Sequence, residues 1–72
     1  MAEESDLPLA AVERLIRRAD SNMRVSEEAA AALREVLEEK AIKIAQQAAE
    51  MAKHANRKTV TAPDIKLAVK NA

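Results

Sequence analysis

Very few side chains of this 72-residue sequence could support catalysis. It contains one His, no Cys and no Gly, so cysteine nucleophiles, glycine-rich phosphate loops and multi-ligand zinc sites are not available. The acid pairs Glu27-Glu28 and Glu38-Glu39 fit a helix start and a solvated face better than acid–base chemistry. A general acid needs a pocket of low dielectric, and a short chain without Phe, Tyr or Trp has little material to build one. We predict no enzymatic activity, no cofactor, no metal site and no small-molecule substrate.

The charges balance over the whole chain but are unevenly placed along it. Twelve Lys and Arg offset twelve Asp and Glu, which taken alone argues against strong binding of nucleic acid. Residues 57–72, however, hold four cations with Asp64 as their single acid, whereas residues 26–56 hold six Glu and four cations. Positive charge therefore gathers near the predicted helix junctions.

A long helix, predicted from Ser26 to Asn56, organises the chain. This stretch lacks Gly and Pro and is rich in Ala, Leu, Glu, Lys and Gln, which are good helix formers. Ser26 suits the N-cap, and Asn56 suits the left-handed position that ends a helix. The apolar residues step by three and four, and the apolar face is wider than a two-stranded coiled-coil seam. Such a helix is expected to contact partners on more than one side.

Two shorter helices are predicted around the long one. The first runs from about Ala10 to Ala19, where apolar residues recur at helical spacing. The second begins at Thr61, because Thr61 and Asp64 are spaced as a capping box and Pro63 lies where its missing N–H costs nothing. The predicted fold is therefore all-α, with a flexible acidic tail at residues 1–6 and a single domain at residues 7–72.

Dimerisation is expected because the chain cannot build a large core alone. It has no aromatic residue and no disulfide, and Ala, which buries little area, makes up much of its apolar content. The absence of Cys, of a long apolar run and of a basic N-terminal leader predicts a soluble cytoplasmic protein that does not enter a membrane.

The order and spacing of these features resemble the histone fold, most closely that of the small archaeal histones. The resemblance covers the chain from Leu7 to about Lys70. It rests on the stretches Leu7-Pro8-Leu9-Ala10, Arg14-Leu15-Ile16, Arg24-Val25-Ser26, Leu37-Glu38-Glu39, Ala52-Lys53-His54-Ala55, Arg57-Lys58-Thr59-Val60 and Asp64-Ile65-Lys66-Leu67-Ala68.

This resemblance implies a handshake homodimer, with crossed long helices, that bends or wraps double-stranded DNA without strong sequence specificity. Arg24 is then expected to enter the minor groove, held by Thr59 of the partner subunit, instead of being a generic solvated loop charge. Lys58, Arg14 and Arg17 are expected to contact phosphates. Arginine in the minor groove reads the shape and flexibility of DNA more than its sequence.

The resemblance also assigns two structural contacts. Arg57 and Asp64 match an intrachain salt bridge that fixes the second loop to the third helix. His54, which without the resemblance is an ordinary surface or core residue, matches a dimer–dimer contact in which it pairs with Asp64 while Met51 packs nearby. Higher oligomers on DNA are then expected to weaken when His54 is changed, and to respond to pH near about 6–7.

The sequence departs from the family pattern in the first loop and in its charge. The segment Asp20-Ser21-Asn22-Met23 replaces a small turn that usually contains Gly and is one residue longer, which predicts looser stacking of successive turns of DNA. The neutral net charge predicts weaker and more salt-sensitive DNA binding than a basic relative would show.

Two functions therefore remain open at the level of sequence. The first is an architectural DNA-binding protein associated with the chromosome, acting as a homodimer or as a heterodimer with a paralogous histone. The second is a histone-fold module for protein interaction, with weak or no DNA binding. The neutral charge favours the second, whereas Arg24, Lys58 and Thr59 favour the first.

Overall fold

The structure is a computed structural model that describes residues 6–72. In this range the chain forms three helices, α1 (Leu9–Ala19), α2 (Glu27–His54) and α3 (Ala62–Asn71), and no strand. The predicted all-α class is confirmed for these residues, and the short–long–short order agrees with the predicted architecture. Nearly all of the predicted acidic tail, residues 1–5, lies outside the described residues.

Helix α1 begins directly after Pro8, whose backbone is extended (φ −69°, ψ 138°). The Pro8 carbonyl accepts hydrogen bonds from the N–H groups of Ala11 at 3.1 Å and Val12 at 3.3 Å. Val12 is 2 % exposed and is the largest fully buried side chain among the described residues. The helix ends at Ala19 because Asp20 returns to an extended conformation.

Helix α2 starts where the sequence predicts, at a serine cap. The N–H of Ala29 donates to Ser26 Oγ at 3.0 Å, which satisfies one of the amides that an α-helix leaves unpaired at its N-terminus. Glu27 and Glu28 lie in the first turn, where negative charge interacts favourably with the helix dipole.

The other end of α2 is closed by a left-handed residue. Asn56 has φ 59°, as expected for Asn in place of Gly. Its N–H donates to Lys53 O at 2.9 Å, and the N–H of Arg57 donates to Ala52 O at 2.8 Å. These two bonds form a Schellman motif. The predicted span of residues 26–56 therefore contains the helix together with its capping residues.

Helix α3 begins with the predicted capping box. The N–H of Thr61 donates to Asp64 Oδ2 at 2.9 Å, and Pro63 lies in the first turn. The short Thr59-Val60-Thr61 segment before it forms no strand.

The chain divides into two compact units, Met1–Glu38 and Glu39–Ala72, and the boundary falls inside α2. In the first unit, Arg34 Nη1 donates to Leu7 O at 3.4 Å and thereby links α2 to the residue before the Pro8 cap of α1. The buried apolar residues of this unit are Val12 and Ala30.

The second unit buries mainly alanine. Its buried apolar residues are Ala48, Ala52 and Ala68, and Asp64 is buried beside them at 6 % exposure. No helix within residues 6–72 is long and apolar enough to cross a membrane.

Candidate nucleic-acid interface

The loop between α2 and α3 is held by the guanidinium group of Arg57. Its Nη1 and Nη2 atoms donate to Asp64 Oδ2 at 2.9 Å and Asp64 Oδ1 at 3.0 Å. Nη1 also donates to the carbonyl of Thr59 at 3.1 Å. A planar guanidinium that engages both carboxylate oxygens fixes orientation as well as distance. One side chain therefore ties the middle of the loop to the first turn of α3.

Asp64 is held in its ionised form by this network. The hydrogen bonds from Arg57 are the largest of the effects that keep the pKa of Asp64 far below its usual range, and the backbone N–H of Thr61 acts in the same direction. Burial of the carboxylate raises its pKa, but this effect is smaller than the combined effect of the hydrogen bonds. The same bond raises the pKa of Arg57. A permanent ion pair therefore closes the second loop at neutral pH.

Lys58 and Thr59 lie inside the loop that this ion pair closes, and both are exposed. The backbone carbonyl of Thr59 is bonded to Arg57, so its hydroxyl is presented from a fixed backbone. The arrangement offers one lysine and one hydroxyl at a surface, which suits contact with phosphate groups and with a side chain of another protomer.

The loop between α1 and α2 is ordered by Asp20. The N–H of Asn22 donates to Asp20 Oδ1 at 3.0 Å, and the N–H of Met23 donates to Asp20 O at 3.2 Å. The carboxylate thus forms an Asx turn, in which a side-chain oxygen accepts a hydrogen bond from the backbone two residues later. Asp and Asn can form such a turn in a loop that lacks glycine. Arg24 follows this turn, two residues before the Ser26 cap, and is exposed. The sequence identified the unusual loop but did not predict that Asp20 orders it.

Arg14 and Arg17 are exposed on α1, where a third cation, Arg18, accompanies them. The three arginines, together with Ala11 and Leu15, line an open surface groove. The family resemblance gives a role to Arg14 and Arg17 but none to Arg18. The position of Arg18 one helical turn after Arg14 is the sequence feature that could have indicated a shared role.

The residues predicted for the dimer–dimer contact all lie in the second unit. His54 is the exposed last residue of α2, Met51 is half-buried and Asp64 is buried. Asp64 Oδ2 accepts from Arg57, from the Thr61 N–H and from the Thr61 hydroxyl at 3.0 Å, whereas Oδ1 accepts from Arg57 alone. Oδ1, which accepts one hydrogen bond where Oδ2 accepts three, therefore has the greater capacity for a further donor.

Arg24 and Thr59 belong to different units, and the contact between them across two protomers stays a prediction.

Among the described residues, no group of three or more His, Asp or Glu is arranged to hold a metal ion.

Comparison with known proteins identifies the family of this chain. The family described as histone-like transcription factors (CBF/NF-Y) and archaeal histones matches residues 5–69. The chain belongs to this histone family. It is 56 % identical over 66 residues to one of the subunits of archaeal histone HAN1 from Thermococcus zilligii, an alignment that covers 92 % of this chain and 97 % of that protein. It is 42 % identical over 66 residues to probable archaeal histone 3 of Methanocaldococcus jannaschii, with the same coverage of both chains.

As a histone of this family, the protein is a DNA-binding architectural protein associated with the chromosome, and it forms dimers or higher oligomers. The alternative of a protein-interaction module with weak or no DNA binding is not favoured. The family is one of structural, DNA-packaging proteins.

Proposed function

We propose that this histone bends double-stranded DNA as a homodimer, gripping it through its two loops and through α1. The observation that carries the proposal is the Arg57 clamp, because it fixes Lys58 and Thr59 in an exposed loop by bonds to Thr59 O and Asp64. A side chain on a fixed backbone loses less conformational freedom when it binds. Lys58 contacts phosphate, and Thr59 holds Arg24 of the partner subunit in the minor groove.

Binding of this kind requires no contacts with specific bases. Arginine inserted where the minor groove faces the protein responds to groove width, and phosphate contacts carry no sequence information. Affinity then depends on how easily a given DNA bends, and it falls with salt because the contacts release counterions. The zero formal charge of the chain limits the non-specific attraction that a basic histone would add.

The homodimer is supported by what a single chain leaves uncovered. Val36 and Ile42, in the middle of α2, are 49 % and 57 % exposed, whereas the buried positions are mostly alanine. Covering these side chains with a second copy of α2 would supply the apolar burial that the single chain lacks. The name of the relative from Thermococcus zilligii describes it as one of the subunits of HAN1, so a paralogous histone is the other candidate partner.

We further propose that dimers associate on DNA through Met51, His54 and Asp64. The geometry favours His54 as a donor to Asp64 Oδ1, the oxygen that accepts only one bond within its own chain. The proposal places the protein on the chromosome in the cytoplasm and assigns it no catalytic activity, no cofactor and no membrane association.

An electrophoretic shift on duplexes of about 60–150 base pairs tests the DNA-binding mode. We expect wild type to shift the DNA at low salt, and Arg24→Ala to bind at least about tenfold more weakly because each dimer loses two minor-groove contacts. Lys43→Ala removes an equal charge from an exposed position of α2 and serves as the control.

Absence of any shift by wild type at low salt would contradict the DNA-bending function itself. Equal affinities of Arg24→Ala and Lys43→Ala would contradict only the minor-groove role of Arg24.

A further inference from the structure

The end of α1 carries a cation to which neither the family resemblance nor the proposed function gives a role. We propose that Arg18 binds a backbone phosphate of DNA together with Arg14, so that the DNA-contacting surface extends to the last turn of α1. The inference rests on the proposed function, since it assumes that α1 faces DNA, and it adds a contact that Arg14 and Arg17 do not supply.

The spacing of Arg14 and Arg18 suits a shared ligand. Arg14 and Arg18 are four residues apart, so they lie on one face of α1 with Cβ atoms about 5–6 Å apart. Both line the same open groove, together with Ala11. Successive phosphates of one strand advance about 3.4 Å along the DNA axis, and two long arginine side chains one turn apart can reach neighbouring phosphates.

The charge of the α1 arginines also favours an anionic ligand. No described acid forms a salt bridge with Arg14, Arg17 or Arg18, and all three are exposed. Like charges at positions i and i+4 destabilise a helix. A polyanion in the groove would remove that repulsion, so the cluster is better satisfied in the complex than in the free protein.

A simpler role for Arg18 is to interact with the dipole at the end of α1, where both Arg17 and Arg18 lie in the last turn. Cations at this position stabilise helices without any ligand. Lys70 occupies the equivalent place in the last turn of α3 and is also exposed. It therefore provides a control for both the lost charge and the lost dipole interaction.

Phosphate fits this site better than the carboxylates of an acidic protein segment. The guanidinium fork matches phosphate oxygens and remains charged at all relevant pH values. Three arginines around one short groove also match the high and regular charge density of duplex DNA. Arg18 is then a phosphate-binding residue and contributes to affinity for any DNA sequence.

The test measures the dissociation constant for one duplex at several salt concentrations, for wild type, Arg18→Gln and Lys70→Gln. We expect Arg18→Gln to weaken binding by about tenfold at 0.1 M salt and to reduce the slope of log K against log salt by about 0.9 for each lost contact. Arg18→Lys retains the charge and is expected to keep the slope. Lys70→Gln is expected to leave both quantities close to those of wild type.

Equal affinities and slopes for Arg18→Gln and Lys70→Gln would overturn the inference while leaving the proposed function intact. Failure of wild type to bind would instead overturn the proposed function, and this inference with it. Sedimentation equilibrium and circular dichroism of each variant complete the test. A loss of dimer by Arg18→Gln without a change of slope would show that the groove is a contact between protomers and would also overturn the inference.

Discussion

At the scale of single residues, the two loops are ordered by carboxylates of different kinds. Asp64 is buried and accepts hydrogen bonds from Arg57 and Thr61, whereas Asp20 is exposed and bonds only to its own loop. Both fix the backbone next to a residue expected to touch DNA, Lys58 in one loop and Arg24 in the other. Acidic residues near a DNA-binding surface reduce attraction, so their presence is explained by the order that they impose.

Substitution of Asp20 tests whether its turn matters for DNA binding. Asp20→Asn and Asp20→Ala both remove the negative charge, but only Asn keeps the acceptor for the Asn22 N–H. We expect Asp20→Ala to bind DNA about fivefold more weakly than Asp20→Asn, the equivalent of about 1 kcal/mol for one hydrogen bond. Fluorescence anisotropy with a labelled duplex measures the difference. Indistinguishable affinities would mean that the Asx turn does not position Arg24.

The Arg57–Asp64 pair predicts a specific dependence of stability on pH. Because folding lowers the pKa of Asp64, the pair stabilises the protein above the pKa of an unfolded Asp, about 3.9, and this contribution is lost as pH falls towards the folded value. Wild type should therefore be more stable than Asp64→Asn at pH 7, and the difference should shrink below about pH 4.

Urea unfolding at one fixed protein concentration measures this difference. Glu50→Gln, which neutralises an exposed carboxylate outside the network, is the control. A difference between wild type and Asp64→Asn that stays constant from pH 7 to about pH 3 would exclude the ion pair as its cause.

At the scale of elements, each end of α2 is closed by a motif that the sequence encodes locally. Ser26 caps the start, and Asn56 forms the Schellman motif at the end. These motifs place Arg24 just before the helix and Lys58 just after it. The 28 residues of α2 therefore lie between the two loops that are predicted to contact DNA.

Removal of the serine cap should destabilise α2. We expect Ser26→Ala to lower the free energy of unfolding by about 1 kcal/mol, because one amide of the first turn loses its partner. Ser26→Asp should retain most of the stability. Ser21→Ala makes the same chemical change in the preceding loop and should have an effect below about 0.5 kcal/mol. Chemical denaturation at fixed concentration distinguishes these outcomes, and equal losses in both alanine variants would contradict the capping role.

At the scale of the whole molecule, one chain leaves much of its apolar surface in water. The exposed large apolar residues include Leu15 at 47 %, Ile42 at 57 %, Leu67 at 49 % and Val69 at 52 %. In contrast, Val12 is the largest fully buried side chain of the described residues. Since apolar burial is the dominant favourable term in folding, a second chain is needed to complete the core.

Dimerisation should therefore be coupled to folding. We expect the midpoint of thermal unfolding to rise with protein concentration, as mass action requires for a folded dimer. Ile42→Glu should lower the midpoint by about 5–10 °C or abolish folding, because it introduces an unpaired charge in the middle of α2.

Gln47→Glu adds the same charge elsewhere on α2 and should have a much smaller effect. Differential scanning calorimetry over a hundredfold range of concentration provides the measurement. A concentration-independent midpoint for wild type would contradict obligate dimerisation.

Local physical chemistry made much of this fold predictable from the sequence. The order of the three helices, the Ser26 cap, the left-handed Asn56 and the capping box of Thr61 with Asp64 all follow from residue types acting within a few positions of one another. Each was predicted from sequence and confirmed by the structure. The family resemblance, which rests on the order of several short motifs, is confirmed by the comparisons.

The folded structure determined which hydrogen bonds form where they depend on the path of the backbone. The link from Arg34 to Leu7 joins residues far apart in the sequence. The bond from Arg57 to Thr59 O and the Asx turn of Asp20 depend on the conformation that each loop adopts. Sequence spacing shows which residues share a helix face, but it does not show which carbonyl a guanidinium will reach. The reason is physical: capping and periodicity depend on residue types at fixed spacings in a regular helix, whereas contacts in loops depend on backbone angles that residue types alone do not fix.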